Sequence, residues 1–506
     1  MSQADSQLPR GALYVALGQG AFVLTGYLLH ILLSRWLTAA DFGLFNVTMA
    51  VLVWTEITVN NGVPVALQRF LPDRGLSESS VLDATARCQA MVAVAVFVFM
   101  FLATPLLALL LRDPALTGYL RLALIDVLAM AAYAYYRGAL NGWRSFRQLS
   151  ATIGAYSVAK LAAISGLVLL GLGIRGALIG NVISSLGGLT AGYLWTRRRR
   201  RAADLTGSGL AAAPAAVPPE SPAAVSVRGV MAFVLPAALF TLASNVLLGL
   251  DLMGVKALVS DADQVGYYSA AVKLAEAPRL VLLAFSFTLL PSLSHAIAAA
   301  DLDRTRHYLQ QTMRLLNLVL LPILALVSAT AEGVILLTFP DSYRSAGPIL
   351  GVLVFAYAAY TVYITLVTAL LAENRPGRAL AIPLALLPMA AAAVWAGVTY
   401  LGLPGAALAS LLVTIAAALV VAAYVFYRFR PAAGPLLRSL ARVGLASAAI
   451  WGLARLWSPG GLVLIPAYLL LGGLYLALLF LLGELRRQDL DELRSLIPRP
   501  RRKGGM

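Results

Sequence analysis

The chain has 506 residues, 60% of them apolar and only 12% charged, with a mean hydropathy of +0.82. Soluble proteins carry about 25% charged residues, so this composition cannot clothe a water-soluble body, and it excludes disorder, a coiled coil and a secreted disulfide scaffold. The formal net charge of +16 would point to nucleic acid in a soluble protein. In a membrane protein it is first a matter of topology, and no nucleic-acid partner is expected.

A hydrocarbon core about 30 Å thick takes roughly 20 apolar residues at 1.5 Å rise each. Fourteen stretches qualify, near 12–34, 43–67, 88–111, 118–140, 150–172, 174–196, 228–257, 265–293, 313–330, 346–371, 378–401, 404–427, 437–457 and 460–482. The expected fold class is therefore an all-α polytopic membrane protein of about 14 transmembrane helices. The first stretch reads as a span and not a cleavable leader, because its apolar run is too long and no small-x-small cleavage site follows at the right distance. With a cytoplasmic N-terminus, 29 basic residues fall on inner segments and seven at outer ends. That bias predicts both termini in the cytoplasm.

The chain also repeats itself. Ser34–Phe45 echoes Val255–Tyr268, Leu140–Arg147 echoes Leu371–Arg378, and Leu172–Leu178 echoes Leu401–Ala407, at offsets of 221–223, 231 and 229. These echoes predict a duplicated six-helix unit. Six is even, so the two lobes share orientation, a parallel repeat about an axis along the membrane normal. The expected layout is an N-terminal lobe over 1–196, a linker over 197–227, a second lobe over 228–428, two extra helices over 429–483 and a basic cytoplasmic tail over 484–506. In the linker, Arg197–Arg201 are expected to stop the helix, and an Ala/Pro stretch follows as a flexible, partly extended segment. Leucines spaced through the tail suit either a helix on the inner leaflet or a solvated end.

Little in the sequence points to catalysis. Gly171-Leu-Gly173-Ile-Arg-Gly176 has the G-x-G-x-x-G spacing, but it follows a membrane helix and not a strand, so it reads as a tight helix–helix turn. No Walker lysine motif, G-x-S-x-G or His/Asp cluster is present. The single cysteine, Cys88, excludes an internal disulfide, and the three histidines lack ligand spacing. No catalytic residue, metal or cofactor is expected, and the chain does not read as an enzyme.

Ionisable groups at membrane depth are costly to bury and are the natural candidates for function. Lys273, Glu276 and Arg279 lie three apart within an arc of about 120° on one helix, with Pro278 placed to bend it. Lys160 and Asp126 fall mid-span, Glu56 sits one turn before Asn60, and Asp251 precedes Lys256 near a span's outer end. Arg35 occupies the matching outer end in the first lobe. The basic members (Lys273, Arg279, Lys160, Arg35, Lys256) outnumber the acidic ones. If several face a common cavity, it is cationic and attracts a phosphate or pyrophosphate headgroup. The acidic members (Glu56, Asp126, Glu276, Asp251) are candidates for ion coupling or for charge pairing: Glu276 with Lys273 or Arg279, Asp126 with Lys160. Arg35 and Lys256 equally suit snorkelling to outer headgroups.

Three patterns give the chain a family likeness. They are Leu33–Leu37 leading into Asp41-Phe42-Gly43 with Gly62 to Arg69-Phe70 closing helix two, Gly266–Pro278 followed by Leu290–Ser294, and the turn Leu371–Arg378. With these the chain resembles the polysaccharide and lipid II flippases of the multidrug/oligosaccharidyl-lipid/polysaccharide (MOP) exporter superfamily. The resemblance implies two six-helix lobes in a V around a central cavity, with two added helices. It implies alternating access that carries an undecaprenyl-pyrophosphate-linked oligosaccharide across a bacterial cytoplasmic membrane, glycan polymerase and export machinery as candidate partners, and a monomer as a sufficient unit. Lys273 stands at the basic position that lipid II flippases show before Glu-x-Pro, and Arg69 joins the candidate headgroup ligands. The first span departs from them: between Gly11 and Ser34 it has no arginine or lysine. The expected cargo is therefore an exopolysaccharide, capsule or O-antigen unit and not a peptidoglycan precursor. A cation-coupled drug or metabolite antiporter of the same superfamily is the alternative.

Overall fold

A computed structural model describes residues 3–72, 77–205, 227–279, 289–373, 376–457 and 459–485. All regular structure among these residues is helical. The first lobe comprises α1 (Gln3–Trp36), α2 (Ala39–Asn60), α3 (Val63–Phe70), α4 (Glu78–Leu110), α5 (Leu116–Gly142), α6 (Phe146–Leu167) and α7 (Gly173–Leu205). The second comprises α8 (Val227–Leu258), α9 (Ala262–Ala275), α10 (Leu289–Ala298), α11 (Leu302–Ala329), α12 (Ala331–Thr338), α13 (Ala346–Ala372) and α14 (Pro376–Phe429). The pair α15 (Ala433–Trp457) and α16 (Leu464–Leu481) follows.

Eleven stretches are long and apolar enough to cross a membrane, and two of these, Phe146–Arg199 and Gly377–Phe429, are 54 and 53 residues long. Each is two spans joined at a glycine. Gly173 (φ 51°, ψ −135°) turns α6 into α7, and Gly402 (φ 64°, ψ −142°) divides α14. They stand 229 residues apart, at the same place in the repeated Leu-Gly-x-x-Gly-Ala motif, and share a backbone conformation that side chains with a Cβ rarely adopt. The repeat is thus visible in dihedral angles as well as letters.

Two expected spans are broken. The stretch 43–67 is α2 plus α3, because Pro64 in the first turn of α3 cannot continue the hydrogen-bond ladder of α2. The eighth span ends its first half at Ala275, where Glu276 caps α9 just before Pro278. Its middle, 280–288, lies outside the described residues. With two stretches doubled, the described residues account for thirteen of the fourteen expected crossings, and the eighth is described at its two ends alone. The outer faces of the spans are apolar: Leu170, Leu469 and Phe99 are 70–77% exposed, as side chains facing lipid must be.

The lobes meet where α2 crosses α9. A Cβ on Gly43 would stand 2.6 Å from the Gly266 nitrogen, and one on Gly266 would collide with the Ala39 carbonyl. These glycines are also repeat equivalents, so the two backbones touch near the pseudo-twofold axis. The Ala40 N–H donates to Asp263 Oδ1 across the same junction at 2.9 Å. Phe42 packs edge to face on Phe339 and Tyr343 beside it, and those two rings are tilted against each other.

The C-terminal pair is tied to the second lobe. Glu484 accepts from Arg314 Nε at 2.8 Å and from Ser439 Oγ at 2.7 Å, with Arg442 3.6 Å away. One local expectation is corrected: Arg197–Arg201 do not stop the helix, and α7 runs on through them to Leu205. Arginine is a good helix former, and past the apolar stretch its charge meets no hydrocarbon. The Ala/Pro linker (206–226) and the tail from 486 onward lie outside the described residues.

Candidate functional site: a charged cavity between the lobes

Directly beneath the Gly43–Gly266 contact is a cavity of about 200 Å³ lined from both lobes. The first lobe contributes His30 from α1, Asn46 and Trp54 from α2, and Lys160 from α6; the second contributes Asp251 and Lys273. Glu276, Arg279 and Tyr357 complete the wall. The break at Glu276 releases Arg279 from the continuous α9 ladder, and both residues face the cavity together with Lys273.

Lys273 Nζ donates to Glu276 Oε1 at 3.4 Å, with both side chains about 30% exposed. That is a long contact, and it leaves lysine donors available. Arg279 lies over the Tyr360 ring, 5.8 Å from its centre. Lys160 Nζ donates to the Tyr156 hydroxyl at 3.3 Å. Asp251 is fully engaged: Oδ2 accepts from Tyr268 and Ser410 hydroxyls, each at 2.7 Å, and Oδ1 accepts from the Leu252 N–H. The cavity therefore offers cations whose partners are weak, while its most buried carboxylate is closed off by hydroxyls.

A second cavity, about 240 Å³, opens inside the first lobe and shares Met49, Val53 and Lys160 with the central one. Glu56, Asn60, Arg137 and Asn181 line it beside Tyr133 and Tyr156. Arg137 Nη2 donates to Asn60 Oδ1 at 3.1 Å. Asp126 takes the Asn181 amide, Nδ2 donating to Oδ2 at 2.6 Å, and Glu56 lies within hydrogen-bonding reach of Asp126. The expected Asp126–Lys160 pairing is replaced by these amide and phenol contacts.

Of the six candidate headgroup ligands, Lys273, Arg279 and Lys160 line the central cavity. The other three do not line it. Arg35 is exposed at the end of α1, and Arg69 is exposed on α3 with its guanidinium over Phe70. Lys256 is bound to Asp113 at 2.6 Å at the α8 end of the molecule. All three sit at helix ends, where one turn of error in depth separates a cavity from the surface. Sequence reasoning missed His30, Tyr133, Tyr156 and Asn181. Only the Tyr156–Lys160 spacing of one helical turn could have signalled part of this set.

Two six-helix lobes facing across a charged cavity, with an added C-terminal helix pair, define the class: a multi-pass membrane protein with the fold seen in MOP superfamily transporters. The lipid II flippase MurJ in an inward closed conformation superimposes with a TM-score of 0.67 at 12% identity, covering 94% of this chain and 99% of that one. An inward-facing multidrug resistance MATE family transporter of the MOP superfamily gives 0.61 at 14% identity, over 83% and 94%. A MOP superfamily transporter from Pyrococcus furiosus gives 0.57 at 15%, over 83% and 95%. A comparison with curated protein sequences finds no match. The model of the family described as polysaccharide biosynthesis protein matches residues 8–297. The chain belongs to that family.

Proposed function

We propose that this protein is a flippase that carries a polyprenyl-pyrophosphate-linked oligosaccharide from the inner to the outer leaflet of a bacterial cytoplasmic membrane. The observation that carries this reading is the convergence of Lys273, Arg279 and Lys160 on one cavity between the lobes. A pyrophosphate accepts hydrogen bonds at several oxygens, and lysine and arginine are the side chains suited to it. The cavity is small as it stands, so the headgroup enters when the lobes part, and release follows when they part on the other side. The excess of arginine on alternate loops supports cytoplasmic termini. The Gly43–Gly266 contact then lies at the outer end, and the protein rests closed to the outside. The undecaprenyl carrier, a cargo destined for exopolysaccharide, capsule or O-antigen, and action as a monomer belong to the same reading.

The test is complementation in a strain lacking its own flippase. Lys273→Ala and Arg279→Ala abolish surface glycan while the protein still accumulates in the membrane, and Lys273→Arg restores part of it. Normal surface glycan in both alanine variants overturns the headgroup mechanism.

Cation-coupled antiport is the second reading, favoured by Glu56 and Asp126 in the first-lobe cavity. Arg137 and Lys160 stand beside these carboxylates and oppose a bound cation, which places this reading second. It requires that adding a transported drug dissipates a sodium or proton gradient in vesicles holding the protein.

A further inference from the structure

The first-lobe cavity has a wall chemistry unlike that of the central one. Asn181 is 2% exposed and its Oδ1 has no hydrogen-bond partner among the described residues; Glu56, 8% exposed, stands against the Asp126 carboxyl, and neither Glu56 Oε1 nor Asp126 Oδ1 meets a donor there. Buried acceptors left unpaired are costly, and those of the cavity-lining Asn181 and Glu56 call for a ligand that donates. The same lining holds donors: Lys160 Nζ, bound among the described residues to the Tyr156 hydroxyl, and the Arg137 guanidinium, which donates to Asn60. Aromatic rings line the space as well. Tyr133 and Tyr156 stack on each other with centroids 5.2 Å apart and planes 8° from parallel, Arg137 lies 5.3 Å from the Tyr133 centroid and Lys160 5.6 Å from that of Tyr156, and Phe22 stands 5.9 Å from Tyr156.

Each simple ion meets an opponent here. A metal cation would sit beside Arg137 and Lys160, and a phosphate beside Glu56 and Asp126. A neutral sugar ring meets none. A pyranose has C–H faces that rest on aromatic rings, and hydroxyls that both donate and accept. At about 240 Å³ the space is smaller than the roughly 300–1,000 Å³ of pockets for larger ligands, which limits it to a single ring. Through Lys160 it adjoins the cavity assigned above to the pyrophosphate.

We propose that this side cavity is a saccharide subsite, holding the neutral pyranose bonded directly to the pyrophosphate. The assignment rests on the flippase reading, because it needs the pyrophosphate anchored next door. Glu56 and Asn181 accept from the ring hydroxyls, Arg137 and Lys160 donate to them, and Phe22 with the edges of Tyr133 and Tyr156 supplies the apolar wall.

The experiment uses the full chain in detergent and two kinds of probe: farnesyl pyrophosphate, and the same lipid carrying one glucose or one N-acetylglucosamine. The wild type is expected to bind at least one glycosylated probe more tightly than the bare pyrophosphate. Asn181→Ala and Glu56→Gln each weaken the glycosylated probe by roughly tenfold and leave farnesyl pyrophosphate unchanged, which also shows that the variants are folded. Lys273→Ala weakens all probes. The subsite is overturned if the wild type ignores the sugar or if the two variants weaken both kinds of probe alike. It is equally overturned if they alter only sodium dependence, which would make the cavity an ion site. Failure of the wild type to bind any of the probes instead removes the pyrophosphate reading, and the subsite falls with it.

Discussion

The two lobes share a backbone plan and differ in what they place at matched positions. By the repeat offsets, Glu56 corresponds to Arg279, Asp126 to Tyr357, Lys160 to Met389 and Asn181 to Ser410. In the first lobe these positions surround open space and leave acceptors unpaired. In the second, Tyr357, Tyr360 and Tyr363 are buried, and Asp251 is closed off by Tyr268 and Ser410. The two copies thus share the turns and the crossing glycines and differ in the polar groups they place at these positions. A recognition pocket needs polar atoms that are not yet satisfied; a packed lobe needs all of them satisfied.

The largest effect should come from the place where the lobes are alike. Gly266→Leu puts a side chain where the Ala39 carbonyl stands, and Gly43→Leu does the same from the other lobe. Both should hold the lobes apart at that end and stop transport. Cysteine labelling at Asn46 should rise sharply in both variants; if either transports normally, the glycine contact is not the seal. Next in size is the closed network of the second lobe. Asp251→Ala strands the Tyr268 and Ser410 hydroxyls, at about 1–3 kcal/mol for each buried unpaired group, and thermal unfolding in detergent should shift down clearly. Glu56→Gln in the open lobe removes a carboxylate with an unpaired oxygen, so its melting should stay level or rise. Equal losses in the two variants would erase the contrast drawn between the lobes.

The smallest effect concerns the added helices. Burial alone would push the Glu484 carboxyl up, but hydrogen bonds from Ser439 and Arg314 and the charges of Arg314 and Arg442 more than offset it and hold the group below the usual carboxylate range. A carboxyl depressed by folding stabilises above its unfolded value, and the benefit is lost as pH falls through the folded one. Acidification below the ordinary carboxylate range should therefore loosen α15 and α16 from α11, read as hydrogen exchange in α16. Glu484→Gln should remove that acid dependence.

Much of the fold was legible because lipid imposes a simple rule on length and hydropathy, and because Gly173 and Gly402 fall in echoing heptapeptides. Continuity was less legible. The breaks at Gly62–Pro64 and at Glu276–Pro278 occur inside apolar runs, where composition stays constant while the hydrogen-bond ladder fails. In the site, Lys273, Arg279 and Lys160 stood out because charge at membrane depth is expensive. Asn181, Tyr133 and Tyr156 carry no such penalty and came together only through the packing of α5, α6 and α7. Arg35, Lys256 and Arg69 lie away from the cavity for the opposite reason, since charge at a helix end can reach water, lipid headgroups or a partner such as Asp113.

The contact of Gly43 with Gly266 has an electrical consequence. A gate made of side chains can leave a file of water through which ions or protons slip. Here main chain lies against main chain, with aromatic rings beside it, which leaves less room for a water file than facing polar side chains would. Each elementary charge crossing a potential of about 100 mV dissipates about 2.3 kcal/mol. On the flippase reading proposed above, a machine that must open wide enough for a bulky headgroup can therefore share a membrane with the cell's energy supply without short-circuiting it.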